Sequence, residues 1–440
     1  MRSILVLGAG RSSSALIDYL LKQASASGWK VTVGDISETA SRDRVGNSPS
    51  GKAIAFDMEQ ETSSEVIRQS DVVISMLPAT LHPLVAMKCL AYKKHLLTAS
   101  YVSPEMKLLD KEAKEKGLLF LNECGLDPGI DHMSAMQLID RIKADGADLY
   151  SFESFTGGLI APETDPENPW RYKFTWNPRN VVMAGQSTAK FLEKGQYKYI
   201  PYQQLFRRTT PIQVPGYGDY EGYANRDSLT YRSTYGLENI QTMIRGTLRN
   251  DGFCSAWNVL VQLGCADDTY SMEHVERMTH RDFMNSFLNH HPQHTVEEKI
   301  ANQFGLSPSG PEMRRLKWST LFDESLVGLT EGTPAQILEC ILNKKWKLQP
   351  EDQDMIVMWH RFKYRKDSKE HEIQATLVAK GEDSVRTAMA KTVGLPLGVA
   401  AKLLLEGKIS ARGVVIPVTK EFYEPILLEL KGLGVELNEQ

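Results

Sequence analysis

Only five cysteines occur in 440 residues, at 89, 124, 254, 265 and 340, and none forms a Cys-x-x-Cys pair. An odd number at such wide spacing excludes a disulfide framework, a zinc ribbon and a dithiol redox motif, and reduced thiols are expected. Charge of one sign is equally scarce. Lys and Arg number 51 against 55 Asp and Glu, a net charge of −4, so no general positive field exists for a nucleic acid or an anionic bilayer. The first residues, one arginine and a short apolar run ending at Gly8, match neither a signal peptide nor a membrane span, and a cytoplasmic location without membrane contact is expected. His290, His291 and His294 lie close together in a polar stretch but lack thiol or carboxylate partners at ligand spacing, so no metal is expected there. Repeats, low-complexity tracts and flexible linkers are also missing.

What is present is ordinary globular composition, 42% hydrophobic and 24% charged. At roughly 100 to 200 residues per domain, two or three domains are expected. The opening third alternates short β-branched runs with amphipathic stretches, predicting six strands: Ile4–Leu7, Val31–Val33, Ala53–Phe56, Val72–Met76, Leu96–Thr98 and Leu118–Leu121. Such alternation predicts a doubly wound parallel sheet of Rossmann type. Ser103-Pro104 and Gly117 bound one predicted helix between the last two strands. After residue 126 the runs lengthen, as in Tyr150 to Phe155, then turn helical at about 254–345, and alternate again at Glu372–Val378. The expected fold class is therefore α/β, with a second α+β domain of mixed sheet and helical insertion. Domain bounds are 1–125 and 126–383, the first completed by residues of about 384–440. Gly394 and Pro396 interrupt the apolar run Ser384–Leu405, which predicts two buried helices with a break, packed back on the first sheet.

Gly8-Ala9-Gly10 follows the first strand and precedes a helix predicted over Ser13–Ala24. A helix N-terminus there favours a dinucleotide pyrophosphate near Gly8, Gly10, Arg11 and Ser12, with Ser13 where a third glycine is usual. The same residues also fit a ligand-free tight turn. Asp35 ends the second strand, where a carboxylate accepts from the adenosine ribose and repels a 2′-phosphate, favouring NAD; nearby Arg42 and Arg44 keep NADP open. Ser75, Met76 and Leu77 end the fourth strand and are placed against the cofactor. Substrate is expected at the same carboxyl edge, near Ser100-Tyr101 and Gly125-Leu126-Asp127-Pro128-Gly129, although Asp-Pro-Gly also suits a plain helix-entry turn.

Several longer segments carry a resemblance. Gly-Leu-Asp-Pro-Gly-Ile-Asp-His at 125–132, Gly-Gly-Leu-Ile-Ala-Pro-Glu at 157–163, Arg-Tyr-Lys-Phe-Thr-Trp at 171–176, Glu-Gly-Tyr-Ala-Asn-Arg-Asp-Ser at 221–228 and Arg-Gly-Thr-Leu-Arg at 245–249 resemble the glutamate-forming saccharopine dehydrogenase family, including the corresponding half of animal aminoadipic semialdehyde synthase. Leu81 to Ala86, Thr98 to Tyr101 and Ala388 to Pro396 extend the likeness over nearly the whole chain.

The resemblance implies NAD(P)-linked interconversion of saccharopine with L-glutamate and α-aminoadipate δ-semialdehyde, by a homodimer. It implies Asp127 and Tyr101 as proton-transfer candidates, with Leu126 and Asp127 also beside the cofactor. Arg226 is the implied carboxylate clamp, and Ser100, Thr156, Gly157, Gly158, Trp176, Thr247 and Leu248 the remaining substrate contacts. Family members carry cysteine before the Gly-Gly pair; Thr156 stands there instead, which removes a thiol proton role. His132 is expected to be structural. Two rival readings stay open: a related amine–carbonyl reduction such as carboxynorspermidine synthesis, and a catalytically silent NAD-binding protein.

Overall fold

The computed structural model describes every residue except Met1, Glu61, Gly185 and Gln186. The chain divides into two units, Met1–Asp148 with Leu377–Asn438, and Leu149–Thr376 with Glu439–Gln440.

In the first unit six parallel strands form where the apolar runs predict them: β1 (Ser3–Leu7), β2 (Lys30–Asp35), β3 (Gly51–Ala55), β4 (Val72–Ser75), β5 (His95–Thr98) and β6 (Leu119–Leu121). Their order, β6-β5-β4-β1-β2-β3, reverses direction at β1 and β4, the arrangement that opens a crevice at the strands' carboxyl ends. Helices α1 (Ser14–Ser27), α2 (Glu38–Val45), α3 (Thr62–Arg68) and α4 (His82–Tyr92) connect them. The single helix predicted after Ser103 is two short ones, α5 (Pro104–Leu108) and α6 (Asp110–Glu115), although Ser103 does cap Met106 N–H and Gly117 does take a positive φ of 69°. Helix α7 (Ile130–Ala144) still belongs to this unit, so the unit runs past the residue 125 at which the sequence suggested a boundary.

The second unit begins with one long strand, β7 (Asp148–Ile160), and adds α8 (Pro178–Val182), β8 (Ala189–Glu193), β9 (Gln196–Ile200), β10 (Thr209–Val214), β11 (Gly218–Ala224) and β12 (Thr242–Asn250). The helical segment follows as α9 (Phe253–Leu263), α10 (His280–Asn285), α11 (Val296–Phe304), α12 (Pro311–Trp318) and α13 (Pro334–Trp346), and β13 (Asp354–Lys366) and β14 (Lys369–Lys380) return to the sheet. β12 runs parallel to β7 and antiparallel to β11, making the sheet mixed.

The chain then returns to the first unit with α14 (Ala388–Leu405), β15 (Gly413–Val415) and α15 (Lys420–Gly432). β15 pairs with β6 as a seventh parallel strand, and Tyr423 of α15 donates to Asp140 Oδ2 of α7 at 2.7 Å. The predicted break in the apolar run does not occur: α14 passes through Pro396 as one helix. Proline inside a helix costs about 3 kcal/mol, whereas each fully buried large aliphatic side chain contributes about 1.5–3 kcal/mol. Leu395, Leu397, Val399, Leu403 and Leu404 are all buried, so burial prevails. The glycines serve contact with α1, since a Cβ on Gly394 would lie 2.9 Å from Leu16 N and one on Gly398 would lie 2.6 Å from Tyr19 Cδ1. By length and composition α14 could cross a membrane, but 83% of it is buried within the protein, as in a core helix.

Candidate active site

The turn from β1 to α1 is shaped by two glycines with different duties. Gly8 adopts a φ of 102°, and a Cβ there would meet Met76 O at 3.0 Å. Backbone and neighbour both exclude a side chain. Gly10 faces open space, with nothing within 4 Å of its Cβ position. It precedes a short helical turn, Arg11–Ser13, that leads into α1. Unobstructed backbone at the start of a helix fits the pyrophosphate of a dinucleotide, with Arg11 exposed beside it. Met76, just past β4, is held by its N–H on Leu7 O at 2.7 Å, which places Ser75, Met76 and Leu77 against the same turn.

Asp35, expected to meet the ribose, also has a structural task within the turn. Its Oδ2 accepts from Ala9 N–H at 2.8 Å and its Oδ1 from Ser37 N–H at 3.0 Å. The carboxylate thus braces the glycine turn and caps the approach to α2. Arg44 Nε reaches Ala9 O at 3.4 Å, bringing a guanidinium to the same turn.

At the carboxyl ends of β5 and β6 the structure brings Tyr101 and Asp127 together, the phenol donating to Asp127 Oδ1 at 3.2 Å. Glu123 holds the segment on either side of Tyr101: its N–H donates to Ser100 O at 3.0 Å, and its Oε1 accepts from Val102 N–H at 3.0 Å. Glu123 has a φ of 55°, unusual for a residue with a side chain. Its Oε2 lies 2.9 Å from Nε2 of the wholly buried His132, on α7. The Asp127–Pro128 peptide is cis, and Asp131 Oδ1 accepts from Gly129 N–H at 2.6 Å. Leu126 is buried, and its carbonyl accepts from Asp131 N–H at 3.0 Å.

His82, at the start of α4, was not singled out by sequence reasoning. Its ring bridges Ser75 Oγ, 2.9 Å from Nδ1, and Ser100 Oγ, 2.8 Å from Nε2. Burial pushes its pKa down to about 4, leaving the imidazole neutral near pH 7. The available signal was its place four residues beyond Pro78, after the Ser75-to-Pro78 strand end.

A separate group of residues gathers in the second unit. Thr156 of β7 is in register with Thr247 of β12. A Cβ on Gly157 would lie 2.5 Å from Leu248 O, so only glycine permits this strand contact; Gly158 follows. Asn225 Nδ2 donates to Thr247 Oγ1 at 2.9 Å, tying the turn that carries Arg226 to β12. Arg226 has a φ of 48° and an exposed side chain, while its carbonyl accepts from Lys190 N–H at 2.8 Å. The Thr156 hydroxyl is buried without a hydrogen-bond partner, a polar atom suited to a bound ligand. Trp176 is 37% exposed and stands on the surface before α8, not in the neighbouring aromatic core. His290, His291 and His294 are exposed between α10 and α11, and the described residues contain no cluster of three or more metal-ligating side chains.

The comparisons agree with this architecture. Residues 4–121 match the saccharopine dehydrogenase NADP binding domain, and residues 125–435 the saccharopine dehydrogenase C-terminal domain. The sequence is 32% identical to Schizosaccharomyces pombe saccharopine dehydrogenase [NADP(+), L-glutamate-forming], over 100% of this chain and 99% of that protein. It is 34% identical to bovine mitochondrial alpha-aminoadipic semialdehyde synthase over 99% of this chain but 47% of the relative, so it spans about half that protein's length. Apo saccharopine dehydrogenase (L-Glu forming) from Saccharomyces cerevisiae superposes with a TM-score of 0.89 at 30% identity, covering 100% of this chain and 99% of that one. On matches that run from end to end in both sequence and structure, the chain belongs to the saccharopine dehydrogenase family.

Proposed function

We propose that this chain interconverts saccharopine and water with L-glutamate and α-aminoadipate δ-semialdehyde, using NAD(P). The observation that carries the reading is the Tyr101–Asp127 hydrogen bond at the carboxyl edge of the sheet bearing the Gly8 and Gly10 turn. It occurs in a chain that aligns along its full length with glutamate-forming saccharopine dehydrogenases.

Gly8, Gly10, Arg11 and Ser12, with the strand end at Ser75 to Leu77, are the residues proposed to hold NAD(P), which supplies the hydride acceptor when bound. In the oxidative direction the secondary amine of saccharopine must be unprotonated, because its lone pair forms the carbon–nitrogen double bond as hydride departs. Asp127, with Tyr101 donating to its Oδ1, is assigned the proton transfers at that nitrogen. It takes a proton from the incoming amine or the attacking water. It returns one to the departing glutamate nitrogen when the carbinolamine collapses. A positioned acid or base typically contributes about 10²- to 10⁴-fold.

Arg226 is assigned a bidentate pair with a substrate carboxylate, and the Thr156 hydroxyl, Gly157, Gly158, Thr247 and Leu248 the neighbouring polar contacts. Thr156 cannot act as an acid in place of a thiol. Arg226→Ala tests the assignment: KM for saccharopine rises about 10- to 100-fold, the effect expected for a lost hydrogen bond to a charged group, while cofactor affinity holds. An unchanged KM removes Arg226 from the site.

For the cofactor we infer that NADP is accepted as well as NAD. Asp35 keeps both oxygens on backbone N–H groups, which weakens its repulsion of a 2′-phosphate, and Arg44 stands beside Ala9 to pair with one. Assembly as a homodimer belongs to the same proposal, with sedimentation as its test.

A further inference from the structure

The imidazole of His82 joins the two strand ends where cofactor and substrate are proposed to bind. Ser75, at the end of β4, pairs in register with Thr98, at the end of β5, and Ser100 lies two residues beyond. Ring Nδ1 is 2.9 Å from Ser75 Oγ. Ring Nε2 is 2.8 Å from Ser100 Oγ and 3.1 Å from Thr98 Oγ1. The residue is only 3% exposed, and burial keeps the ring neutral, so it has one N–H and one lone pair to share among three hydroxyls.

The two tautomers have opposite consequences for Ser100. With the proton on Nδ1, Nε2 has a single lone pair, and when the nearer Ser100 hydroxyl, at 2.8 Å against 3.1 Å for Thr98, donates into it, Ser100 shows a ligand only an oxygen acceptor. With the proton on Nε2, one N–H is shared between Ser100 Oγ and Thr98 Oγ1, Ser75 donates into Nδ1, and the Ser100 hydroxyl proton is left for a ligand. The backbone of Ser100 is already engaged, its N–H by Thr98 Oγ1 at 3.2 Å and its carbonyl by Glu123 N–H at 3.0 Å. Its hydroxyl is therefore the group it can offer. A carboxylate accepts hydrogen bonds and donates none.

We propose that His82, held as its Nε2–H tautomer by the Ser75 hydroxyl, is a positioning residue that makes Ser100 a hydrogen-bond donor to a carboxylate of the substrate. The choice of substrate rests on the function proposed above; the tautomer does not.

Two measurements test this. Nitrogen chemical shifts of His82 in ¹⁵N-labelled, unliganded protein report which ring nitrogen is protonated: Nε2–H supports the proposal, and Nδ1–H overturns it whatever the protein's substrate. In kinetics with saccharopine, Ser100→Ala and His82→Leu each raise KM about 10- to 100-fold, the double variant is no worse than either alone, and the dinucleotide Kd is unchanged. His82→Gln, whose amide can donate in place of Nε2–H, recovers KM to within about threefold and keeps the test open if His82→Leu does not fold. Additive effects of the single changes, or no recovery by a folded His82→Gln, overturn the proposal. Wild-type protein that turns over no saccharopine contradicts the functional reading instead, and the chemical shifts then decide the role of His82.

Discussion

Tyr101 and Asp127 leave different strands, 26 positions apart, yet the phenol of one donates to the carboxylate of the other at 3.2 Å. Glu123 fixes the backbone on both sides of Tyr101, and its second oxygen meets His132 in the helix that follows Asp127. The buried Glu123–His132 pair thus links the two segments that present the proton-transfer candidates. Hydrogen bonds at both ends limit how far either side chain can drift from the geometry that proton transfer requires.

Asp127→Asn is expected to lower kcat by about 10²- to 10⁴-fold and to remove a limb of the pH–rate profile, because the amide cannot shuttle a proton. Tyr101→Phe, which keeps the carboxylate but removes its donor, is expected to fall short of that loss. Steady-state kinetics with dinucleotide binding measured in parallel checks both, since binding should stay within a few-fold of wild type.

Arg44→Ala should weaken NADP by about 10- to 100-fold, the range for a lost charge-assisted contact, with little change for NAD. A comparison of kcat/KM for the two cofactors in both proteins reads this out. Equal losses for NAD and NADP would mean that Arg44 supports the glycine turn through Ala9 and does not read the phosphate.

Gly394→Ala should destabilise the first unit even though alanine gains about 1 kcal/mol of helix propensity over glycine. The new methyl meets the backbone of Leu16 at 2.9 Å, and backbone in a packed helix gives way poorly, so overpacking of about 1–3 kcal/mol decides the sign. Gly398→Ala meets the ring of Tyr19 at 2.6 Å, and that ring is buried with its hydroxyl tied to Glu429, so a loss at least as large is expected there. Urea unfolding midpoints measure both.

Acid should weaken the fold through its buried histidines. Burial holds His82 and His95 at about 4, below the ordinary 6.5. Between those values the unfolded chain takes up protons that the folded chain refuses, so the stabilisation is full above about pH 6.5 and is lost as pH falls through about 4. For His82 the difference approaches about 3 kcal/mol. The drop in unfolding free energy from pH 7 to 5 should be smaller for His82→Gln than for wild type; parallel curves would contradict a neutral buried ring.

Much of this was readable in the sequence, and the remainder has physical reasons. The strands of the first sheet announce themselves because runs such as Val72 to Ile74 are apolar, β-branched and bounded by polar turns. The seventh strand, Gly413–Val415, is three residues long and pairs with a strand nearly 300 residues earlier, so no local pattern marks it. Gly394 and Pro396 suggested a break because both disfavour a helix, yet close contact with α1 and deep burial hold α14 together. Tyr101 and Asp127 stood out as candidates by their places after strand ends, and the structure brings the two side chains together. Glu123 and His82 did not stand out, since a carboxylate or an imidazole beside a strand end has no pattern of its own until the chain brings its partners to it. Asp35 was read correctly as the end of β2, but the backbone N–H groups its oxygens accept from have no sequence pattern to reveal them.

The most direct measurement is the absorbance of reduced nicotinamide when purified protein is mixed with saccharopine and either NAD or NADP. Growth of that absorbance, matched mole for mole by L-glutamate, is the result the account predicts. No turnover with either cofactor, from folded protein that binds dinucleotide, would contradict it.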